Sequence, residues 1–193
     1  FFTTYKPKSS FIQNSKLNIH EIIIENNSVL DANEIKQNLT ALYEKSLFFL
    51  NIEDIEIKLK NINLIESFSV KKIYPRTLKI IIIEKEPIAI LQNKKKKFYI
   101  TNKGDVIGFR NLDIYNNLPI VLGNGNNFYS LYKNLESIKF PLEEIKSFYF
   151  FESGRWDLIM HDNKVLKLPI NNYLYSLENF MKSINDNKFD TYK

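Results

Sequence analysis

The sequence predicts an α+β protein, in which a β-α-α-β-β unit is followed by a mostly antiparallel β domain with two helices. Three observations lead to this prediction. Residues 67–87 alternate between apolar and polar side chains on both sides of a turn, which is typical of a β-hairpin. Two stretches before this hairpin carry apolar residues at helical spacing. After Pro87, further strand-turn-strand patterns and two more helical stretches follow.

The hairpin is predicted to turn at Tyr74–Thr77, because Pro75 fixes its own φ and has no N–H to donate to a strand ladder. Alternation predicts one inward-facing set on each strand, namely Phe68, Val70 and Tyr74, and then Leu78, Ile80 and Ile82. Ile81 and Ile83 then point to the opposite face, where they either pack against the second domain or meet another protein.

The residues before the hairpin are expected to cover its inward face. Leu17–Asn26 is predicted to be a strand, with a first helix that begins after the N-cap Asp31 and a second that begins near Asn51. The inward stripes of the two helices are predicted to be Ile35, Leu39, Leu42 and Tyr43, and Ile52, Ile55, Leu59 and Ile62. The result is a layer of two helices on a three-stranded sheet.

This order of elements resembles a POTRA domain, and its motifs resemble the POTRA domain of the bacterial cell division family FtsQ/DivIB. Tyr74-Pro75-Arg76-Thr77-Leu78 is similar to the aromatic-Pro-x-Thr-Leu turn of that family. Glu84-Lys85-Glu86-Pro87 is similar to its Glu-Arg-x-Pro motif, with lysine in place of arginine. The resemblance implies a POTRA domain over residues 17–86.

The second half resembles the β domain of the same family, which implies a β domain over residues 87–193 and a juxtamembrane linker over residues 1–16. Residues 98–107 are predicted to form a hairpin, residues 118–123 are similar to Leu-Pro-x-Leu-x-Gly, and residues 153–169 are similar to an Arg-Trp-x-Leu hairpin. Helices are predicted over 129–139 and 173–184, with Leu131, Leu135, Ile138, Leu174, Leu177, Phe180, Met181 and Ile184 turned inward.

Composition excludes several classes of site. The chain has no cysteine, so it has no disulfide and no thiol nucleophile. Its net charge of +5 includes the run Lys94–Lys97, which is read either as a contact for anionic lipid or nucleic acid or as a solvated loop. We favour the loop, because no aromatic residues are interleaved with the lysines, and we expect no nucleic-acid partner.

No arrangement of residues in the sequence predicts catalysis, a metal site or a cofactor. His20 and His161 fall in different predicted domains, and no Gly-x-Ser-x-Gly nucleophile motif or phosphate-binding loop is present. Trp156 is read as a core residue rather than as an interface anchor, since a large aromatic side chain in a strand is usually buried. No apolar run approaches the length of a membrane span, and the resemblance implies a single transmembrane helix upstream of residue 1.

The resemblance implies a non-enzymatic scaffold of the division complex, in the periplasm at the septum and anchored in the inner membrane. Its partners are expected to be FtsB and FtsL, and its role is to regulate septal peptidoglycan synthesis. In this family an edge at the last strand accepts a strand of FtsB. Phe189, Asp190, Thr191, Tyr192 and Lys193 resemble the beginning of that last strand.

Two other functions stay open from the sequence. One is a POTRA module of an outer-membrane protein assembly or secretion factor, which usually carries several POTRA repeats and a membrane barrel. The other is an enzyme that acts on the cell wall, which requires a nucleophile or a metal set that the sequence does not offer.

Overall fold

The computed structural model describes residues 18–125 and 127–185, with side chains up to Lys182. Contacts divide the chain into two compact units, Phe1–Lys85 and Glu86–Lys193, which are called the N-terminal unit and the C-terminal unit below. Each unit contains one sheet together with helices, so the predicted α+β class is confirmed.

The N-terminal unit follows the predicted β-α-α-β-β order. Its elements are β1 (Glu21–Glu25), α1 (Ala32–Asn38), a 3-10 turn (Thr40–Glu44), α2 (Ile52–Leu59), β2 (Ile65–Ile73) and β3 (Thr77–Glu84). The sheet has the order β1-β3-β2, with β1 parallel and β2 antiparallel to the central β3. Asp31 caps α1 by accepting a hydrogen bond of 2.9 Å from the backbone N–H of Asn33, as its side chain predicts.

The apolar residues of α1, the 3-10 turn and α2 are buried together with those of β3. The first predicted helical stripe runs past α1, which ends at Asn38, so Leu42 and Tyr43 belong to the 3-10 turn. Two further residues depart from the predicted burial. Leu78, Ile80 and Ile82 of β3 are fully buried together with Ile35, Leu39, Leu42, Ile55 and Leu59. Ile52, however, is 56% exposed, so its predicted place in the inward stripe is wrong. It begins α2, and helical spacing places a side chain on a face without showing whether another element lies opposite it.

Tyr74 is the second departure, because it is 55% exposed rather than turned inward with Phe68 and Val70. β2 ends at Ile73, so Tyr74 already belongs to the turn and no longer follows the alternation of the strand. The peptide bond between Tyr74 and Pro75 is cis.

The C-terminal unit contains seven strands and two helices among its described residues. These are β4 (Pro87–Asn93), β5 (Lys96–Thr101), β6 (Val106–Gly108), β7 (Ile120–Leu122), α3 (Phe128–Ser137), β8 (Ile145–Phe150), β9 (Trp156–Met160), β10 (Val165–Lys167) and α4 (Tyr173–Asn185). The sheet order is β10-β9-β8-β7-β4-β5-β6. β7 is parallel to both β4 and β8, and the other neighbouring strands are antiparallel, which confirms a mostly antiparallel domain.

An aromatic cluster forms the core of the C-terminal unit. Phe128 of α3 lies 5.0 Å from Phe148 of β8 between ring centroids, and Trp156 of β9 lies 4.7 Å from Phe150. Trp156 is buried, which agrees with its interpretation as a core residue. In α4, Leu177 is buried and Leu174, Phe180 and Met181 are partly buried, whereas the side chain of Ile184 lies outside the described residues.

The lysine run forms a tighter connection than the loop that the sequence predicts. Lys94 and Lys95 make a two-residue turn between β4 and β5, and Lys96 and Lys97 already belong to β5. The ammonium group of Lys97 lies 5.4 Å from the ring centroid of Phe109. One of the four lysines therefore has an aromatic neighbour that the sequence did not indicate.

Candidate partner-binding surfaces

β10 is one border of the seven-stranded sheet in the described part of the chain. It pairs with β9 on one side, where the N–H of Leu168 donates to the carbonyl of Trp156 and the N–H of Met160 donates to the carbonyl of Lys164. Backbone groups of successive residues in a strand point to opposite sides. The N–H and C=O groups of Val165 and Lys167 therefore point away from β9, toward the open side of the sheet.

An apolar hollow lies beside β10 and beneath α4. Its apolar lining comes from Phe140, Pro141, Met160, Leu166, Phe180 and Met181, and the volume of the hollow is about 230 Å³. Glu144, Asp162 and Lys164 also line it, and the ammonium group of Lys164 lies 2.8 Å from a carboxylate oxygen of Asp162. This ion pair lowers the pKa of Asp162 and raises that of Lys164, so both groups stay charged at neutral pH.

β6 is the opposite border of the same sheet. The N–H of Thr101 donates to the carbonyl of Asp105, and in this register the backbone groups of Val106 point outward. Val106 is 57% exposed, close to the 49% of Val165 on β10. Each border thus has an exposed valine whose N–H and C=O groups point away from the sheet. Val106 and Val165 can therefore serve as matched positions for substitution.

Ile81 and Ile83, the two predicted contact residues in the N-terminal unit, lie on the sheet face opposite the helices. Their neighbours across the β2–β3 pairing are the small side chains of Ser69 and Ser67. Ile83 is 51% exposed and Ile81 is partly buried. An ion pair of 2.6 Å between Lys79 and Glu25 crosses the same face, so the face combines apolar area with a fixed charge pair.

The other predicted contact residues, Phe189, Asp190, Thr191, Tyr192 and Lys193, lie outside the described residues. In sequence they follow α4, which ends at Asn185.

A cluster of exposed aromatic residues was missed by the sequence reasoning. Phe48 and Phe49 are exposed on the loop between the 3-10 turn and α2, and the ring of Phe48 lies 4.9 Å from that of Tyr74 between centroids. Ile73, the residue before Tyr74, is also exposed. The residue pair Phe48-Phe49 follows the buried Leu47 and precedes the buried Leu50, so hydrophobicity alone could not show which of the four side chains faces outward.

Glu84 is a second residue whose role the sequence did not show. Its carboxylate accepts hydrogen bonds from the backbone N–H groups of Ser28, Val29 and Leu30 and from the hydroxyl of Ser28, at 2.7–3.2 Å. Burial raises the pKa of Glu84, but these hydrogen bonds outweigh that effect, so the pKa lies below its ordinary value. Glu84 therefore fastens the end of β3 to the loop that precedes α1.

The described part of the chain contains no candidate metal site. Across residues 18–125 and 127–185, no three His, Asp or Glu side chains are grouped so that they could hold a metal ion. His20 and His161 are exposed and belong to different units. None of the helices within those same residues has the length and apolarity that crossing a membrane requires.

Both units match known protein families. Residues 17–85 match the family model described as "POTRA domain, FtsQ-type", and residues 89–192 match the one described as "Cell division protein FtsQ/DivIB, C-terminal". Together these two matches cover almost all of the residues that the structure describes.

Curated relatives give the same result. The chain is 32% identical over 162 residues to "Cell division protein FtsQ" of Rickettsia bellii, which covers 83% of this chain and 60% of the relative. It is 30% identical over 171 residues to the protein of the same name from Rickettsia typhi, covering 88% of this chain and 64% of the relative. The chain thus spans about 60% of the length of these relatives.

A solved structure of the major extracytoplasmic domain of the division protein DivIB from Geobacillus stearothermophilus aligns with 51% of this chain and 89% of its own. The sequence identity is 14% and the TM-score is 0.36, below the level at which two folds are called the same.

Proposed function

This chain belongs to the FtsQ/DivIB family of bacterial cell division proteins, and from that premise we propose that it is a non-enzymatic scaffold of the division complex. It holds partner proteins together on the periplasmic side of the inner membrane, at the septum, and thereby regulates septal peptidoglycan synthesis. Its partners in this proposal are FtsB and FtsL. A transmembrane helix upstream of residue 1 anchors the protein, and residues 1–16 link that anchor to the N-terminal unit.

The observation that carries the proposal is the border at β10, which is open among residues 18–125 and 127–185, with the apolar hollow beside it. A strand of FtsB that adds to this border would pair with the outward backbone groups of Val165 and Lys167. Alternate side chains of an added strand point to opposite faces of the sheet. One set of partner side chains would therefore enter the hollow between Leu166, Phe180 and Met181.

Backbone pairing and side-chain contacts have different roles in this proposal. The backbone hydrogen bonds supply affinity for any extended segment. The hollow favours partners with apolar side chains, and the Asp162–Lys164 ion pair at its lining favours partners whose charged side chains match it. Phe189, Asp190, Thr191, Tyr192 and Lys193 are the alternative place for this contact, because the family resemblance assigns the strand-accepting edge to the last strand, which begins there.

The N-terminal unit is proposed to bind other division proteins. Ile81 and Ile83 offer a small apolar area on the sheet face that α1 and α2 leave uncovered. The charges of the adjacent ion pair Lys79–Glu25 would orient a bound partner on this face.

The direct test is the substitution Val165→Pro. Proline at this position removes an outward N–H but leaves the pairing with β9 in place, because the β9 bonds are made by residues 164, 166 and 168. Loss of one backbone bond and the bulk of the ring are expected to weaken binding by about tenfold or more. Binding is measured by fluorescence anisotropy of a labelled peptide from the periplasmic segment of FtsB.

Val106→Pro is the matched control, since it makes the same change on the opposite border of the sheet. It is expected to leave FtsB binding within about twofold of the unchanged protein. Equal binding by the Val165→Pro variant would contradict addition at β10, and a loss seen only with Val106→Pro would move the contact to β6.

The alternative role in outer-membrane protein assembly has less support. The POTRA match is of the FtsQ type, and the C-terminal unit matches a division-protein family rather than a further POTRA repeat. The sequence pattern that would favour the alternative is a repeated unit, and the two units differ in strand number and strand order.

A further inference from the structure

We propose that the N-terminal unit contacts the lipid surface of the membrane through an aromatic pole, formed by the exposed side chains of Phe48, Phe49, Ile73 and Tyr74. The inference rests on the envelope location proposed above and adds a contact that strand addition does not require. Its ligand class is a bilayer with anionic headgroups.

The aromatic pole is a fixed arrangement of two loops. Phe48 and Phe49 lie between the 3-10 turn and α2, whereas Tyr74 lies in the turn between β2 and β3. The rings of Phe48 and Tyr74 are 4.9 Å apart between centroids. The ammonium group of Lys72 donates a hydrogen bond of 2.8 Å to the carbonyl of Leu50, which ties the first loop to β2 two residues before Tyr74.

Exposure of four apolar side chains at one end of a domain of this size needs an explanation. Phe49 is 69% exposed and its aromatic neighbours Phe48 and Tyr74 are more than half exposed. Scattered apolar side chains on a surface are ordinary, but exposed rings that pack on each other from two loops, as those of Phe48 and Tyr74 do, mark a place where another surface binds. Aromatic side chains are enriched at the headgroup level of membranes, where an apolar ring meets a polar boundary.

The aromatic pole lies where the chain enters the N-terminal unit. Asn18 forms a β-bridge with Ser46, and the N–H of Ile19 donates to the carbonyl of Lys45. On the other loop, the guanidinium of Arg76 donates to the carbonyl of Asn18. The first described residue is thus held between the two loops that carry the exposed aromatic side chains.

The charges around this entry point favour an anionic surface. In sequence, the 17 residues that precede Asn18 contain three lysines and no aspartate or glutamate. Among the described residues, Lys71 is exposed two positions before Ile73, and the carboxylate of Asp54 is paired with Lys45 at 2.5 Å. Glu44 and Glu53 are exposed as well, so the basic excess comes from the lysines that precede Asn18 in sequence. Lysine side chains beside exposed aromatic rings are the combination that binds bilayers with anionic lipids.

Vesicle binding by the whole chain tests the proposal. Sedimentation with vesicles of phosphatidylethanolamine and phosphatidylglycerol compares the unchanged protein with the triple variant Phe48→Ser, Phe49→Ser, Tyr74→Ser. The triple variant is expected to bind the vesicles about tenfold more weakly, because it lacks the three aromatic rings that the lipid would partly bury. Ile57→Ser is the control, since Ile57 is also exposed in the N-terminal unit but belongs to α2 and to neither loop.

A second measurement, in which a signal is gained, keeps the test decisive if the triple variant does not fold. Phe49→Trp places an indole on the aromatic pole, and Ile57→Trp places one at a site of similar exposure, 64% against 69%. With brominated lipids in the vesicles, the emission of the Phe49→Trp variant is expected to be quenched, and that of the Ile57→Trp variant is not. Trp156 is buried in the other unit and supplies a constant background.

The outcomes separate this inference from the proposed scaffold role. Equal vesicle binding by the triple variant, or no quenching in the Phe49→Trp variant, would overturn the lipid contact. A triple variant that binds vesicles normally but loses FtsB would assign the aromatic pole to a protein partner, which overturns the inference as well. Failure of the Val165→Pro test leaves these vesicle results unchanged, since β10 belongs to the other unit.

Discussion

Gly123→Ala is expected to destabilise the C-terminal unit by about 3 kcal/mol. Gly123 follows β7 with φ at +92°, a conformation that side chains other than glycine rarely adopt. A Cβ atom at this position would lie 2.4 Å from the backbone carbonyl oxygen of Phe150 at the end of β8. The contact would lie between the Cβ atom and a backbone atom, and neither can move aside by rotating a side chain. The substitution would therefore force β7 and β8 apart.

Gly154→Ala is a close control for that prediction, because it has nearly the same backbone angle without the clash. Gly154 has φ at +87°, and a Cβ atom there would meet nothing within 4 Å. The cost of the left-handed conformation alone is about 1 kcal/mol. Urea unfolding monitored by the emission of Trp156, which is buried in the same unit, measures both variants. Equal free energies of unfolding for the two variants would refute the close contact with Phe150.

Glu84→Ala is expected to lower the free energy of unfolding of the N-terminal unit by about 2 kcal/mol. The substitution leaves three backbone N–H groups, those of Ser28, Val29 and Leu30, without their carboxylate acceptor. Glu84 is partly exposed, so water replaces some of the lost bonds and the effect stays below that of a fully buried charge. Amide hydrogen exchange of peptides from residues 18–85 reports this unit separately, and faster exchange is expected first at residues 28–30.

Glu53→Gln is the control for the Glu84 substitution, since Glu53 is exposed in the first turn of α2. Its removal is expected to change stability by about 0.5 kcal/mol or less. The same hydrogen-exchange protection in the Glu84→Ala variant as in the unchanged protein would contradict the role of this carboxylate.

The Glu84 contribution is also expected to depend on pH. Its pKa in the folded protein lies below its ordinary value of 4.5, so the unfolded chain binds a proton more readily than the folded chain does. The stability that Glu84 supplies is therefore present above that ordinary value and is lost as the pH falls through the lower, folded pKa. Unfolding curves of the unchanged protein and the Glu84→Gln variant should converge below this range and separate at neutral pH.

The periodicity of apolar residues predicted the helices and strands of the N-terminal unit, because each of these elements buries only one of its faces. Alternation identified the buried set Leu78, Ile80 and Ile82, and Asp31 identified the beginning of α1. The same reasoning failed at Ile52 and Tyr74, which lie at element ends and are more than half exposed. Spacing along one element carries no information on what lies opposite it.

The candidate surfaces depend on contacts between distant parts of the sequence, and these could not be predicted from local patterns. Glu84 binds backbone groups 54–56 residues away. β6 rather than β4 is the border opposite β10, because β7 inserts between β4 and β8 instead of beside β6. Ile81 and Ile83 were found from alternation, whereas their use as a contact stays a prediction.

The position of β7 has a mechanical consequence for the proposed scaffold role. β7 has three residues, Ile120–Leu122, and it is the only strand that joins β8–β10 to β4–β6 within the described sheet. Tension applied at β10 crosses the β9–β10 pairing of three residues and the longer β8–β9 pairing before it reaches β7, where three residues pair on each side. The β9–β10 pairing is antiparallel and both pairings of β7 are parallel, and parallel pairing is slightly less stable per residue. Under load the sheet would therefore part along β7 first, so this strand sets the force that the C-terminal unit can transmit.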